Sequence, residues 1–170
     1  MKNEIRLLFL GICFLPSLLT GQVKLIYDTD FGGDADDLGA LAMIHNFAKQ
    51  DECELLAVMC WNLEEYAVAA IDAVNRHYGY PDIPIGTRVG EHTHVEWNHS
   101  KPIADHFPHE RHWKNVPETT TLYRKLLSQA EDKEIVIVTV GPLANILYLL
   151  ESEADSISPL SGIELVEQKV

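Results

Sequence analysis

Five carboxylates fall within ten residues in the run Asp28-Thr-Asp-Phe-Gly-Gly-Asp-Ala-Asp-Asp37. Like charges this close repel one another, and a folded chain offsets the repulsion with a cation, with hydrogen-bonded hydroxyls, or with both. Carboxylates held by a glycine turn supply oxygen ligands for a hard cation such as Ca²⁺. Asp30 and Asp37 are the candidate ligands, and Gly32 and Gly33 would let the backbone double back so that both reach one ion. Calcium held there would orient a water and lower its pKa, with a carboxylate taking the proton. Helix capping by Asp34 or Asp36 accounts for one or two of these aspartates, not for five. The run is not an EF-hand, since no Glu stands at the position that closes such a loop and no incoming helix precedes it.

Apolar Val23 to Tyr27 leads into the run, and a helical pattern from Leu38 to Phe47 leaves it. The carboxylates therefore sit where a strand hands over to a helix, the place where open α/β sheets bind ligands. The alternation continues along the chain. A strand is predicted at Lys24–Asp28, then a helix at Asp36–Gln50 with Leu38, Leu41, Ala42 and Ile44 on one side. A strand at Glu54–Cys60 follows, then a helix at Leu63–Tyr78 with Tyr66, Ala70, Ile71 and Val74 inward and Gly79 ending it. A short strand at Ile83–Thr87 precedes an irregular stretch, Gly90 to Pro117, rich in His, Trp and Pro. A helix at Thr120–Gln129 and the most apolar strand, Glu134–Val140, come next. Gly141-Pro142 then starts a helix through Leu150, with Pro just inside it. The tail from Ser152 to Val170 is polar at first and then amphipathic. Strand-helix alternation of this kind predicts an α/β fold: an open, mostly parallel, Rossmann-like sheet with helices on both faces.

The bulk properties narrow the partners. The 170 residues make one domain's worth, with 26 acidic against 13 basic residues and a net charge of -13. That balance argues against nucleic acid or an anionic membrane surface and suits a cation or a neutral polar substrate. It leaves room for a homo-oligomer. Residues 1–21 read as a secretory signal peptide: Lys2 and Arg6, apolar Leu7 to Leu19 broken by Pro16, then Thr20-Gly21-Gln22. The apolar stretch is short for a membrane span, and Ile12 before Cys13 does not fit a lipid-anchor site. The expected location is periplasmic or secreted, without a stable membrane anchor, and residues 22–170 form the functional domain. Cys53 and Cys60 read as two free thiols, Cys60 lying in a buried strand.

The acidic run with the following Leu-Gly-Ala-Leu resembles the N-terminal signature of the inosine/uridine-preferring nucleoside hydrolases. The likeness is to the secreted bacterial members, which carry two extra residues before the final Asp-Asp. Leu55-Leu-Ala-Val-Met-Cys-Trp-Asn62 is similar to the family's second strand, Tyr80-Pro-Asp-Ile-Pro-Ile-Gly86 to its next, and Val140-Gly-Pro-Leu-Ala-Asn145 to its Gly-Pro-Leu-Thr-Asn element, with Ala144 in place of Thr. The resemblance implies calcium-dependent hydrolysis of the N-glycosidic bond of a ribonucleoside, giving ribose and free base. It implies Asp30 as calcium ligand and general base, Asp37 as a bidentate calcium ligand, and the Val140 carbonyl as a further ligand. Asp36 and Asn62 would hold ribose hydroxyls, and Asp28 would support the loop; Asp34 belongs to the insertion and has no assigned role. Such cleavage passes through an oxocarbenium-like sugar, which a negative pocket stabilises. The resemblance also implies that these residues hold the N-terminal half of the fold. The family's later Met-Gly-Gly strand and His-Asp pair would lie beyond Val170.

Two rival readings belong to other classes. One is a non-catalytic remnant that binds calcium or sugar without turnover. The other is a phosphotransferase of the haloacid dehalogenase type, prompted by Asp28-Thr-Asp30 after a strand but opposed by Gly32, where that family has Thr or Val. Six of the eight histidines lie between His92 and His112. Zinc on His92 and His94, or on His109 and His112, is conceivable, but the irregular spacing favours a solvated loop. Trp97 and Trp113 suit either stacking on a base or anchoring that loop. Asn145 reads as a structural hydrogen bonder, His45 as a partly buried surface residue, and Asp72 as the polar side of its helix.

Overall fold

The computed structural model describes residues 21–170; the predicted signal segment lies almost wholly outside them. Ten elements follow in order: β1 (Val23–Thr29), α1 (Asp36–Lys49), β2 (Cys53–Cys60), α2 (Ala67–Tyr78), β3 (Ile85–Thr87), α3 (Ser100–His106), α4 (Thr119–Gln129), β4 (Ile135–Thr139), α5 (Ala144–Glu151) and α6 (Gly162–Lys169). The four strands form one sheet in the order β3-β2-β1-β4, and every pairing is parallel. The chain is an α/β protein of Rossmann-like architecture.

Period-two alternation on β1 assigns each side chain to a face. Tyr27 enters a core with Leu41, Ile44, Val58, Ala70, Ile71 and Val74, and so packs against α1 and α2. Ile26 enters the opposite core with Leu122, Tyr123, Leu127, Leu149 and Leu165, from α4, α5 and α6. Helices thus cover both faces, as parallel sheets require. The β1–β2 register slips between Leu25 and Ile26, whose partners are Leu55 and Ala57, so Leu56 is an extra residue in β2.

Local signals explain the helix ends. Gly79 closes α2 with φ +91°, a left-handed conformation that glycine adopts without strain. Glu118 accepts the Thr120 and Thr121 amides at the start of α4. Ser161 and Glu164 form a reciprocal capping box on α6, the amphipathic end of the tail. Buried Arg124 ties that tail down: it binds the Asp155 carboxylate, Ser152 Oγ, and the Ser158 and Leu160 carbonyls.

Several expectations need correction. α2 begins at Ala67 rather than Leu63, because Glu64 and Asn62 take up the intervening amides. The stretch 90–117 contains α3, which has Pro102 in its first turn and is too short to show a period. Pro142 lies ahead of α5, whose first helical residue is Ala144. His45 is fully buried, bound through Nε2 to Asn75 Oδ1 at 2.8 Å and stacked on Tyr78 and Tyr80. Asp72 is also fully buried; it pairs with Arg76 and Arg111 and accepts the Glu110 and Arg111 amides. It anchors the irregular stretch to α2. The strand that reads as most apolar, β4, is half exposed at Val136 and stands at the sheet's edge among the described residues. Cys53 and Cys60 are free and buried; they sit at opposite ends of β2, roughly 23 Å apart at strand rise, far beyond disulfide reach.

Arg124→Leu should unfold at a clearly lower urea concentration than Asp155→Asn. The second change leaves the arginine its bonds to Ser152, Ser158 and Leu160, and the first strands all of them. Equal unfolding midpoints would show that the loop does not depend on the arginine.

Candidate functional site

The strand order places the acidic run. The chain moves from β1 to β2 to β3 in one direction, then returns to add β4 on the other side of β1. The loops after β1 and β4 therefore leave toward opposite faces, and a crevice opens between them at the carboxyl edge. Ligands bind at such reversals in open α/β sheets. Residues 30–35 leave β1 on one side of this point, and Val140 to Leu143 leave β4 on the other.

Asp28 joins the two sides. Its buried carboxylate accepts Tyr123 OH from α4 at 2.7 Å and Asn145 Nδ2 from α5 at 3.1 Å. Its carbonyl accepts the Val140 amide at 2.9 Å. Thr119 Oγ1 in turn donates to Asn145 Oδ1 at 3.3 Å. One residue later in β1, Thr29 points to the other face and donates to Asp37 Oδ1 at 2.5 Å, while Tyr27 OH donates to the Asp37 carbonyl. Alternation along one strand thus sets both the α5 side and the α1 side of the crevice.

The turn between them is built around Gly32. Its φ of +122° lies in the left-handed region, and a Cβ there would meet Ser100 Oγ at 2.9 Å and Glu64 Oε1 at 3.1 Å. Gly33 has open space around it, so the turn needs Gly32 and not Gly33. Buried Glu64 accepts the Tyr66 amide at 2.7 Å and the Ser100 hydroxyl, and the His99 amide donates to the Gly32 carbonyl at 3.0 Å. The segment before α3 is therefore fastened onto the acidic turn. A second glycine is required at 141, where a Cβ would lie 2.7 Å from Asp30 Oδ1 and 2.8 Å from the Asp30 amide nitrogen. Asp30 thus lies against the β4–α5 loop.

Each predicted site residue can now be located. Asp30 is half-buried beside Gly141, and Asp37 is buried on the first turn of α1. Val140 follows β4 with its side chain half exposed, adjoining Asp28 through its amide. Asp34, Asp36 and Asp37 place carboxylate oxygens within 4.8 Å of one another, the one such cluster among the described residues. Asp34, which sequence reasoning left without a role, thus joins the group. Ala35 precedes α1 and offers no side-chain cap, while the Asp36 carboxylate meets the first-turn amides of Asp36 and Asp37. The Asn62 amide is engaged locally: it donates to the Asp30 and Phe31 carbonyls at 3.2 and 3.3 Å, and its oxygen accepts the Glu64 amide. It clamps the turn. Among the described residues no histidine group has metal-binding geometry. His94 pairs with Glu65, and His92 stacks on Trp113 at 4.2 Å. Trp113 packs against the core, while Trp97 stands exposed. The largely apolar cavity of about 300 Å³ lined by Leu38, Ala42, Val74, Tyr78, Ile103 and Phe107 lies over α1, α2 and α3, away from the acidic turn.

The electrostatics follow from burial and crowding. Burial pushes Asp28 up to about 6, against the lowering effect of its bonds from Tyr123 and Asn145. Burial also pushes Asp37 up to about 6, with Asp30, Asp36 and Asp34 adding repulsion. A hydrogen bond between Asp34 and Asp36 raises the first and lowers the second, as when two carboxylates share a proton. Burial and mutual repulsion thus disfavour the charged forms of Asp34 and Asp37, a cost that a bound divalent cation would offset. The donor set, clustered carboxylates with no thiol or imidazole, is that of a hard cation.

The chain matches no protein-family model and no curated protein. The fold and site define a Rossmann-like α/β domain with a cluster of carboxylates at its topological reversal.

Tyr123→Phe should lower stability by about 1–3 kcal/mol, because a buried carboxylate loses a donor while the ring still fills its place; urea unfolding measures it, and a wild-type midpoint would show that Asp28 does not rely on the hydroxyl. A pH dependence also follows. In the unfolded chain Asp28 and Asp37 lose their protons near 3.8, whereas the folded chain keeps them to about 6. The folded state therefore binds more protons between these values. Their stabilising contribution is complete below the unfolded pKa and is lost as pH rises through about 6. In chelator, the contribution of these two groups should lower the melting temperature as pH rises from about 4 to about 6, and the double variant Asp28→Asn/Asp37→Asn should flatten that slope. An unchanged slope in the double variant would assign it to other groups.

Proposed function

We propose that the chain is a calcium-dependent N-ribohydrolase that cleaves the glycosidic bond of a ribonucleoside to give ribose and free base. The observation that carries the reading is a carboxylate cluster centred on Asp37 at the sheet's topological reversal, with Asp30 outside that cluster but pressed against Gly141, the residue after Val140. Asp34 and Asp36 lie beside Asp37 in the cluster. The resemblance of the acidic run, of Leu55 to Asn62 and of Val140 to Asn145 to the nucleoside hydrolases points the same way.

Calcium, when bound by Asp30, Asp37 and the Val140 carbonyl, supplies a positive charge that orients a water and favours its deprotonation. Asp30 is the group that takes the proton, held in place by Gly141 behind it. Asp36 is exposed, and it would accept a ribose hydroxyl by giving up its hydrogen bond with Asp34. Asn62 fixes the turn by its bonds to the Asp30 and Phe31 carbonyls, and it reaches a ribose hydroxyl only by exchanging them. The surrounding carboxylates favour positive charge developing on the sugar ring.

Asp37→Ala should abolish calcium binding, read by titration calorimetry, and reduce ribose release by at least about a hundredfold, because Asp37 is the buried member of the cluster and its neighbours Asp34 and Asp36 are exposed. Turnover at the wild-type rate in this variant would overturn the assignment. Calcium binding without ribose release in the wild type would identify a non-catalytic calcium-binding domain. Magnesium-dependent phosphatase activity would instead support the phosphotransferase reading.

A further inference from the structure

We propose that the carboxyl ends of β2 and β3 carry an oxyanion subsite, built on Arg88 and Trp61, for a carboxylate or phosphate borne by the ribosyl substrate. The inference rests on reading the acidic turn as the sugar site, and it adds the class of compound that the sugar belongs to.

Cys60 and Thr87 are the last register pair of β2 and β3. The next residue on each strand continues the alignment: the Arg88 amide donates to the Cys60 carbonyl at 3.2 Å, and the Trp61 amide donates to the Thr29 carbonyl at 2.8 Å. Asp30, Trp61 and Arg88 are therefore the first residues beyond three adjacent strands. At the strand spacing of a sheet, Arg88 stands roughly 10 Å from the acidic turn, within the length of one nucleoside or nucleotide.

Arg88 differs from the other described arginines. Arg76, Arg111 and Arg124 each bind a carboxylate. Arg88 has no ion pair among the described residues, and its Nε is buried without an acceptor. The lack is not one of available acid, since acidic residues outnumber basic ones by 26 to 13. Glu118, which bridges to Thr87, spends its oxygens on the start of α4. The Arg88 guanidinium lies 4.2 Å over the Trp61 ring, and the indole Nε1 is likewise buried without an acceptor. Stacking of this kind occupies the face of a guanidinium and leaves its in-plane donors free, the arrangement that recognises carboxylate or phosphate. His92 adjoins it, with Nε2 3.2 Å from Thr87 Oγ1 and its ring on Trp113. A substrate that is anionic at one end would thus lie with its sugar at β1 and its charge at β3, because the aspartates repel the reverse orientation.

The test uses the whole chain with calcium and three probes: uridine, orotidine, which adds a carboxylate to the base, and uridine 5′-monophosphate, which adds a phosphate to the sugar. Calorimetry should find at least one anionic probe bound on the order of tenfold more tightly than uridine. Arg88→Met should remove that preference while leaving uridine affinity unchanged, and Arg88→Lys should restore only part of it. The favoured anion tells whether the base or the 5′ carbon faces β3. Equal affinity for all three probes, no binding of any, or a preference that survives in folded Arg88→Met would overturn the subsite. If Arg88→Met does not fold, the wild-type comparison decides alone. Ribose release is scored separately. An Arg88-dependent preference without ribose release would defeat the hydrolase reading and leave the subsite standing, and ribose release without the preference would do the reverse.

Discussion

The buried carboxylate of Asp28 is the constraint on which the carboxyl edge of the sheet depends. It sits on the central pair of strands and reaches Tyr123 on α4 and Asn145 on α5, while its carbonyl holds the Val140 amide. A carboxylate removed from water must be satisfied by donors, and meeting that demand brings two helices and the β4–α5 loop to fixed places around the end of β1. The position of Asp30 against Gly141 follows from it. The cost remains visible in the carboxyl group, which burial leaves reluctant to ionise.

The fold was largely legible in the sequence because its elements alternate in two distinct periods, and both periods are strong around Tyr27, Leu41, Val58 and Ile71. What escaped was polar burial. His45 and Asp72 occupy helix positions that a hydropathy pattern assigns to the surface. Each is inside only because partners distant in sequence wait there: Asn75, Tyr78 and Tyr80 for the histidine, Arg111 and the amides of Glu110 and Arg111 for the aspartate. Pattern reading carries no term for a partner supplied from elsewhere. α3 escaped for a different reason, since seven residues beginning Ser-Lys-Pro give a period no room to appear.

The candidate site divides in the same way. Crowded aspartates on a strand-to-helix handover stand out by type and spacing alone, and Asp34, Asp36 and Asp37 do lie together, but the bonds that bury Asp28 come from Tyr123 and Asn145, far along the chain. The groups that shape the turn do not stand out in this way. Glu64 and Ser100 act on Gly32 through one cramped contact, and the need for Gly141 becomes visible only when Asp30 is seen pressed against it. Asn62 was legible as a residue near the site, but its amide spends its bonds on the backbone of the turn. Arg88 gave no signal at all, because an arginine is conspicuous only when its neighbours are known and none of them is an acid.

The all-parallel order of the strands also sets when the crevice can exist. No strand of this sheet can pair with the next through a tight hairpin, so each pairing waits for a helix to be spanned, and β1 waits longest. Its second partner, β4, lies more than a hundred residues downstream, and the asparagine that holds Asp28 lies beyond that. Contacts of such long range form late and slowly. A chain emerging from the ribosome could assemble β1, α1, β2 and α2 early, yet would carry its aspartates on an unfinished strand end until α5 had been made. The far wall of the crevice, held by Asp28 to Val140 and Asn145, is therefore the part of the site completed last.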